Sequence, residues 1–224
     1  QTGNGGQIVL YPNLTTNDPV WREVMRDVRF RRALSQAIDR DEINELVYLG
    51  MATPSNNTVR QPSPLYSDRL RTRFASHDPK SANRLLDQMG LKKRDDKGTR
   101  LLPDGRPIHI VIETAGESSE ENDVLALVRD HWAKIGVRLF VINRPRDLLR
   151  TRTFSGEVLM TVWAGIESAI PYADSSPREL APMTQGGLQW AKWGQYIETK
   201  GKTGQPCDMP EACELLDLVH KWEK

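Results

Sequence analysis

The sequence is poor in cysteine: Cys207 and Cys213 are the only two in 224 residues. Two cysteines are too few for a disulfide scaffold, and they lack the arrangement of a zinc site. Their short separation permits one small disulfide if the protein is exported to an oxidising compartment, and free thiols otherwise. The four histidines are scattered, with neither metal-ligand spacing nor a neighbouring nucleophile. We therefore expect no metal, no cofactor and no catalytic residue.

An excess of charge is also lacking, as are long apolar runs. Lys and Arg number 31 against 30 Asp and Glu, so no net field favours nucleic acid, and we expect no such partner. No apolar run approaches the roughly 20 residues that span a bilayer. The start also lacks the basic and then apolar pattern of a signal peptide.

What the sequence does contain is a well-marked pair of helices within residues 27–54. Asp27 is placed to cap the first helix, and Asp39 with Glu42 forms a capping box for the second, which Gly50 ends. Apolar residues recur at helical spacing in the first helix, namely at Phe30, Ala33, Leu34, Ala37 and Ile38. The pattern alone predicts a helix pair that packs on a core.

The rest of the sequence alternates between strand and helix patterns. Strands are predicted at 7–11, 107–113, 137–142 and 158–163, and helices at 21–25, 78–90, 124–135, 147–153 and 211–224. Residues 54–67 contain three prolines and are expected to form an extended loop, and residues 92–106 an exposed hairpin. The alternating order favours an α/β fold.

Several of these segments resemble one family. The string RFRRALSQAIDRDEIN at residues 29–44, followed by VYLG at 47–50 and Thr53-Pro54, is similar to a segment of the periplasmic solute-binding proteins of the dipeptide, oligopeptide and nickel type. Residues 78–90, 107–113 and 128–141 agree with the same family in order and spacing. These proteins, extracellular solute-binding protein family 5, serve ABC importers.

The resemblance implies an α/β fold with a mixed sheet and flanking helices, forming one lobe of a two-lobed, type II-like periplasmic binding protein. Residues 1–26 would be the crossing strand and linker from the adjoining lobe, and residues 27–224 the ligand-binding lobe, truncated at its C-terminal end. Family members are longer than this chain, so we expect it to be a C-terminal lobe fragment whose missing N-terminal lobe is a partner.

The resemblance also implies a function without chemistry. The protein would capture a small-molecule or oligomeric solute, oligopeptide-like or oligosaccharide, and present it to an ABC permease. Its expected location is the periplasm, or the extracellular face of a Gram-positive cell with a membrane tether.

An aromatic-rich region supplies the candidate ligand-binding residues. We expect loops between Trp163 and Tyr196 to offer flat side chains that stack on sugars or enclose peptide side chains. The candidates are Trp163, Gly165, Glu167, Trp190 and Trp193. Under the alternative interpretation, Trp190 and Trp193 fill the core beneath a long loop.

The resemblance draws attention to the residue three positions after Trp163. In the peptide-binding members, a Trp ends the strand equivalent to residues 158–163, and an Asp three residues later pairs with the amino terminus of the ligand. This sequence has Trp163 but Ile166 at the later position. Glu167 could substitute only if the backbone shifts, so this sequence departs from the pattern by which those members bind the amino terminus of a free peptide.

Two other functions remain open from the residues. A carbohydrate hydrolase could use Glu113, Glu117 or Glu167 as acid and base, although no spacing identifies a pair. A protein-interaction module could present Trp190 and Trp193. The arginines between residues 144 and 152 fit either an anion site or a solvated face.

Overall fold

The computed structural model describes residues 4–116, 118–166 and 177–224. The strands are β1 (Val9–Pro12), β2 (His109–Thr114), β3 (Arg138–Asn143) and β4 (Met160–Trp163). The helices are α1 (Pro19–Arg26), α2 (Val28–Ala37), α3 (Arg40–Tyr48), α4 (Asp68–Thr72), α5 (Pro79–Gln88), α6 (Ser119–Lys134), α7 (Arg146–Phe154), α8 (Ala191–Glu198) and α9 (Pro210–Trp222), with a short 3₁₀ helix at Pro177–Leu180. No helix in these ranges is long and apolar enough to span a membrane.

The four strands form one mixed sheet in the order β1-β4-β2-β3. β2 runs parallel to both β3 and β4, and β1 pairs antiparallel to β4 with Val9 opposite Trp163. The prediction of an α/β fold with a mixed sheet and flanking helices is confirmed. The segment before Asp27 belongs to this fold, since it supplies β1 and buries Trp21 and Met25 in the main core.

The two faces of the sheet have different roles. Met160 lies on the face covered by α2 and α6, where Trp132 of α6 donates its Nε1 hydrogen to the Leu34 carbonyl at 3.0 Å. Because side chains alternate along a strand, Thr161 and Trp163 lie on the opposite face, together with Glu113 of β2. Arg144 and Arg152 flank that second face.

The helix boundaries follow the caps predicted from the sequence. The carboxylate of Asp27 accepts the Arg29 N–H at 2.8 Å, and that of Asp39 accepts the Glu42 N–H at 3.0 Å. Asp78 likewise accepts the Ser81 N–H at 2.8 Å. These bonds satisfy donors that the first helical turn leaves open, which is why α2, α3 and α5 begin where they do.

Three expectations differ from the structure. Helix α6 begins five residues before Val124, because the Ser118 hydroxyl accepts the Glu121 N–H. Helix α8 forms where loops were expected. The hairpin at 92–106 is tied to the core, since Arg100 is only 2% exposed and donates to the Ile135 carbonyl at 2.9 Å and to Asp87 at 2.6 Å.

Candidate functional site

The candidate site lies where the three parallel strands end. β2 ends at Thr114, which is paired with Asn143 at the end of β3, and β4 ends at Trp163 on the other side of β2. In open α/β sheets, ligands bind beyond the carboxyl ends of the strands, where loops rather than ladder bonds occupy the space. The last residue of β4 therefore stands at the position where the fold offers a surface to a ligand.

The Trp163 ring is presented at this edge and held from one side. Its residue is 42% exposed, whereas the three residues before it in β4 are buried. The Arg146 guanidinium lies over the ring with its Cζ 5.2 Å from the centroid, a distance at which a cation is attracted to the π face. The arrangement restricts the ring while leaving part of its surface open for contact.

Gly165 belongs to a junction of three chain segments. Its N–H donates to the Gly6 carbonyl at 2.8 Å, and the Gly5 N–H donates to the Ile166 carbonyl at 2.8 Å. The Asn57 side chain accepts the Ile166 N–H at 2.9 Å. A Cβ on Gly165 would overlap the backbone of Gly6, so only glycine permits this approach. The junction fixes the backbone that follows Trp163.

The structure places Trp190 and Trp193 away from this edge. Trp190 is 7% and Trp193 0% exposed, and both belong to the main core. Trp193 donates its Nε1 hydrogen to Asp208 at 3.1 Å, and the Arg26 guanidinium lies 5.0 Å from its ring. The geometry supports the interpretation in which these two rings fill the core, and it gives neither of them a surface for a partner protein.

Glu167 lies outside the described residues, as does Glu117. Of the five candidates, the structure therefore brings Trp163 and Gly165 to the strand-end edge and separates Trp190 and Trp193 from it. Ile166 belongs to the Gly165 junction. Its carbonyl accepts the Gly5 N–H, and its own N–H donates to the Asn57 side chain. Its side chain carries no carboxylate.

Glu113 is held in a buried ion-pair network rather than in an open site. Its residue is 4% exposed, and its carboxylate accepts two bonds from Arg152 at 2.8 and 2.9 Å and one from Arg144 at 3.1 Å. Burial raises the pKa of Glu113, but the bonds from both arginines outweigh it, and the pKa lies below the ordinary value. Both carboxylate oxygens of Glu113 are therefore occupied by guanidinium groups.

The same network accounts for two of the arginines between residues 144 and 152. Arg144 and Arg152 are engaged by Glu113, and Arg152 also binds Glu157 at 2.6 Å. Within residues 4–116, 118–166 and 177–224, no group of three His, Cys, Asp or Glu side chains could hold a metal ion. Cys207 and Cys213 are joined in a disulfide, which is the oxidised alternative left open by the sequence.

Sequence reasoning missed three contributors to this edge. Arg146 appeared only as one charge in an arginine-rich segment, and no spacing connected it to Trp163. Asn57 lay in a loop whose partner was unknown, 109 residues before the N–H that it accepts. Gly5 carries no pattern that predicts its contacts, although a Cβ there would lie 2.5 Å from the Thr58 carbonyl oxygen and 2.6 Å from the Ile166 side chain.

The chain matches a family model described as bacterial extracellular solute-binding proteins, family 5 Middle, over residues 1–181. It is 26% identical over 209 residues to the periplasmic alpha-galactoside-binding protein of Rhizobium meliloti (strain 1021), covering 90% of this chain and 28% of that protein. It is also 26% identical over 176 residues to the dipeptide-binding protein of Escherichia coli (strain K12), covering 78% and 31% respectively.

Solved structures agree with these matches. An oligopeptide-binding protein, OppA, superposes with a TM-score of 0.82 at 32% identity, covering 98% of this chain and 36% of that one. The periplasmic binding protein MelB from Agrobacterium fabrum C58, in complex with stachyose, gives a TM-score of 0.71 at 18% identity, covering 98% and 34%. The chain spans about a third of the length of these relatives.

Proposed function

The chain belongs to family 5 of the bacterial extracellular solute-binding proteins, and we propose that it captures an oligosaccharide or an oligopeptide-like solute for an ABC importer. In this proposal residues 27–224 form most of one ligand-binding lobe, and residues 1–26 cross to it from an adjoining lobe. The native protein works in the periplasm, or on the outer face of the membrane, and delivers its solute to a membrane permease.

The observation that carries the proposal is the position of Trp163. It is the exposed last residue of a buried strand, at the edge where α/β sheets bind ligands. Its ring is backed by Arg146 and its following backbone is fixed by the Gly165 junction, so the surface is formed before a solute arrives. A preformed aromatic surface loses little conformational entropy on binding, which favours capture.

Ile166 bears on the choice of solute. The names of the compared proteins include an alpha-galactoside binder and a dipeptide binder, and one compared structure contains stachyose. Because Ile166 supplies no negative charge for a free amino terminus, we favour a ligand recognised through its flat apolar faces. A pyranose ring stacked on Trp163 has this chemistry.

Capture proceeds without bond cleavage in this proposal. The solute contacts Trp163 on one lobe, and closure of a second lobe over it buries further surface and excludes water. Glu113, the described candidate for acid catalysis, is 4% exposed, and its carboxylate accepts hydrogen bonds from Arg144 and Arg152. The closed form is the one that the permease receives.

The proposal is tested by calorimetric titration of the parent protein, which carries both lobes, with an α-galactoside tetrasaccharide and with a tetrapeptide. We expect Trp163→Ala to weaken binding of the preferred solute by about tenfold, because a stacked ring is worth about 1.4 kcal/mol. Trp222→Ala is the matched control, since Trp222 is similarly exposed but lies on α9.

Chromatography of the solute after incubation completes the test. Recovery of the intact solute supports capture, and release of a smaller product would establish a hydrolase instead. An unchanged affinity in Trp163→Ala, with the control also unchanged, would remove the strand-end edge from the binding site. The 224-residue chain alone is expected to bind weakly, since only one lobe contacts the solute.

A further inference from the structure

A cavity of about 430 Å³ lies on the face of the sheet opposite Trp163. It is lined by residues of β1 and of helices α2, α3 and α6, and by residues 52–57, of which Ala52, Thr53 and Asn57 are exposed. Its floor includes Met160, whose side chain points away from the face that carries Trp163. The volume is within the range of small-molecule sites, roughly 300 to 1,000 Å³. The cavity meets the Gly165 junction at Gly6 and Asn57, but its floor at Met160 lies on the other face of the sheet from the Trp163 ring.

The lining of the cavity is mostly apolar, with polar residues among positions 52–57. Apolar side chains come from all four bounding elements, namely Ile8, Leu10, Leu34, Ile38, Ile43 and Val124. Three residues with amide side chains also line it, Asn44, Asn56 and Asn57, of which Asn57 is exposed. A ligand that fits must present an apolar body to the interior and a polar group close to the rim.

The charge of the lining has one sign. Arg31 and Arg40 are among the lining residues, and within the part of the chain that the structure describes no Asp or Glu lines the cavity. Arg31 has the carboxylates of Asp27 and Glu211 in its surroundings, although burial still lowers its pKa. Arg40 has no carboxylate partner among the described residues.

Within the described part of the chain, the Arg40 guanidinium donates hydrogen bonds only to neutral oxygens. It donates to the Ser35 carbonyl at 2.9 Å, to the Ser35 hydroxyl at 2.9 Å and to the Ala75 carbonyl at 3.0 Å. Burial lowers the pKa of Arg40 to about 10, so the group remains a cation at neutral pH. A largely buried cation without an anion is costly, and structures normally provide a counter-charge.

We propose that this cavity binds an amphipathic carboxylate, with its head group on Arg40 and its alkyl chain between β1 and helices α2 and α6. The carboxylate supplies the counter-charge that the lining lacks, and the chain fills apolar volume. All the lining residues belong to this chain and Trp163 is not among them, so binding in the cavity can be tested apart from capture at Trp163.

The test is calorimetric titration of the 224-residue chain with four ligands: hexanoate, heptanoate, octanoate and octan-1-ol. We expect about fourfold tighter binding for each added methylene, from about 0.8 kcal/mol per buried group. Octanoate is expected to bind about tenfold tighter than octan-1-ol, because a charge-assisted bond to Arg40 is lost in the alcohol.

Variants assign the binding to the cavity. Arg40→Gln should remove the advantage of octanoate over octan-1-ol, and Arg40→Lys should retain part of it. Val124→Phe, which fills the cavity from α6, should weaken both ligands by about tenfold or more. Arg84→Gln changes an exposed arginine on α5 and should have no effect.

Circular dichroism confirms that each variant is folded. If Arg40→Gln does not fold, the octanoate to octan-1-ol ratio in the unmodified chain and the loss in Val124→Phe still decide the matter. No binding at about 1 mM, equal affinity for acid and alcohol, or unchanged affinity in Val124→Phe would each overturn the proposal.

Discussion

His131 of α6 lies 2.6 Å from Glu42 of α3, measured from Nε2 to the carboxylate Oε2. The other ring nitrogen, Nδ1, accepts the Asp39 N–H at 3.3 Å, so Nε2 carries the hydrogen and donates to Glu42. In a simple capping box the Glu side chain would itself accept that N–H. Here the imidazole is inserted between the two groups and joins the start of α3 to α6.

Replacing this imidazole should destabilise the fold. We expect His131→Leu to lower the free energy of unfolding by about 1 to 3 kcal/mol, because the Asp39 N–H and the Glu42 carboxylate both lose their partner. Urea denaturation measures the loss, and His220→Leu, an exposed histidine on α9, is the control. Equal losses in both variants would show that the inserted ring has no special contribution.

The pairing of Glu113 with Arg144 and Arg152 predicts a pH dependence. The folded-state pKa of Glu113 is lowered, so its contribution to stability is present above the ordinary glutamate value of 4.5 and is lost as pH falls through the folded value. We expect Glu113→Gln to lower the free energy of unfolding by about 2 kcal/mol at pH 7. The loss is smaller than for a fully buried ion pair because both arginines are partly exposed.

The difference in the free energy of unfolding between Glu113→Gln and the unmodified chain should become smaller below pH 4.5. Chemical denaturation at pH 7, 5 and 3.5 measures it. Glu157→Gln is the comparison, since that carboxylate is 48% exposed and should contribute less than about 1 kcal/mol. A difference that stays constant over this pH range would contradict the assignment.

The junction at Gly165 should not accept a methyl group. We expect Gly165→Ala to separate the Gly5-Gly6 segment from β4 and to cost about 1 to 3 kcal/mol, since the new Cβ would lie 2.5 Å from the Asn57 Oδ1 atom. Hydrogen exchange should show faster exchange at the Gly165 and Ile166 amides. Gly186→Ala is the control, because a Cβ there meets nothing closer than 3.6 Å.

The disulfide between Cys207 and Cys213 should contribute measurably to stability. Closing a loop with a sequence separation of 6 is worth about 2 kcal/mol in the chain-entropy model. We expect reduction, or the double change Cys207→Ser and Cys213→Ser, to lower the unfolding free energy by about that amount. Free labelling by a thiol reagent without reductant would show that the bond does not form.

Much of the fold could be predicted because its signals are local. Asp27, Asp39 and Asp78 each bond an N–H two or three residues away, and the sequence contains both partners of such a bond side by side. The strands are also predicted by local patterns, namely short alternating or continuous apolar runs. These signals specify an element without any knowledge of what it packs against.

The features that the sequence did not reveal depend on distant contacts. Arg100 is buried because Asp87 and the Ile135 carbonyl receive its guanidinium, and a charged, glycine-containing segment gives no sign of that partner. Helix α8 contains Gly194, which weakens the helix pattern in the sequence. Glycine is required there because a Cβ would overlap the Thr184 carbonyl. The burial of Trp190 and Trp193 likewise follows from packing that only the assembled core defines.

The antiparallel pairing of β1 with β4 has a consequence for biosynthesis. Val9 is placed opposite Trp163, so this edge of the sheet cannot close until a segment roughly 150 residues later has left the ribosome. At about 5 to 20 residues per second, the delay is on the order of 10 to 30 seconds. Contacts of such long range also form slowly once both partners are present. If the protein is exported as proposed, this delay keeps the newly made chain open, which is the condition in which a translocation channel can thread it.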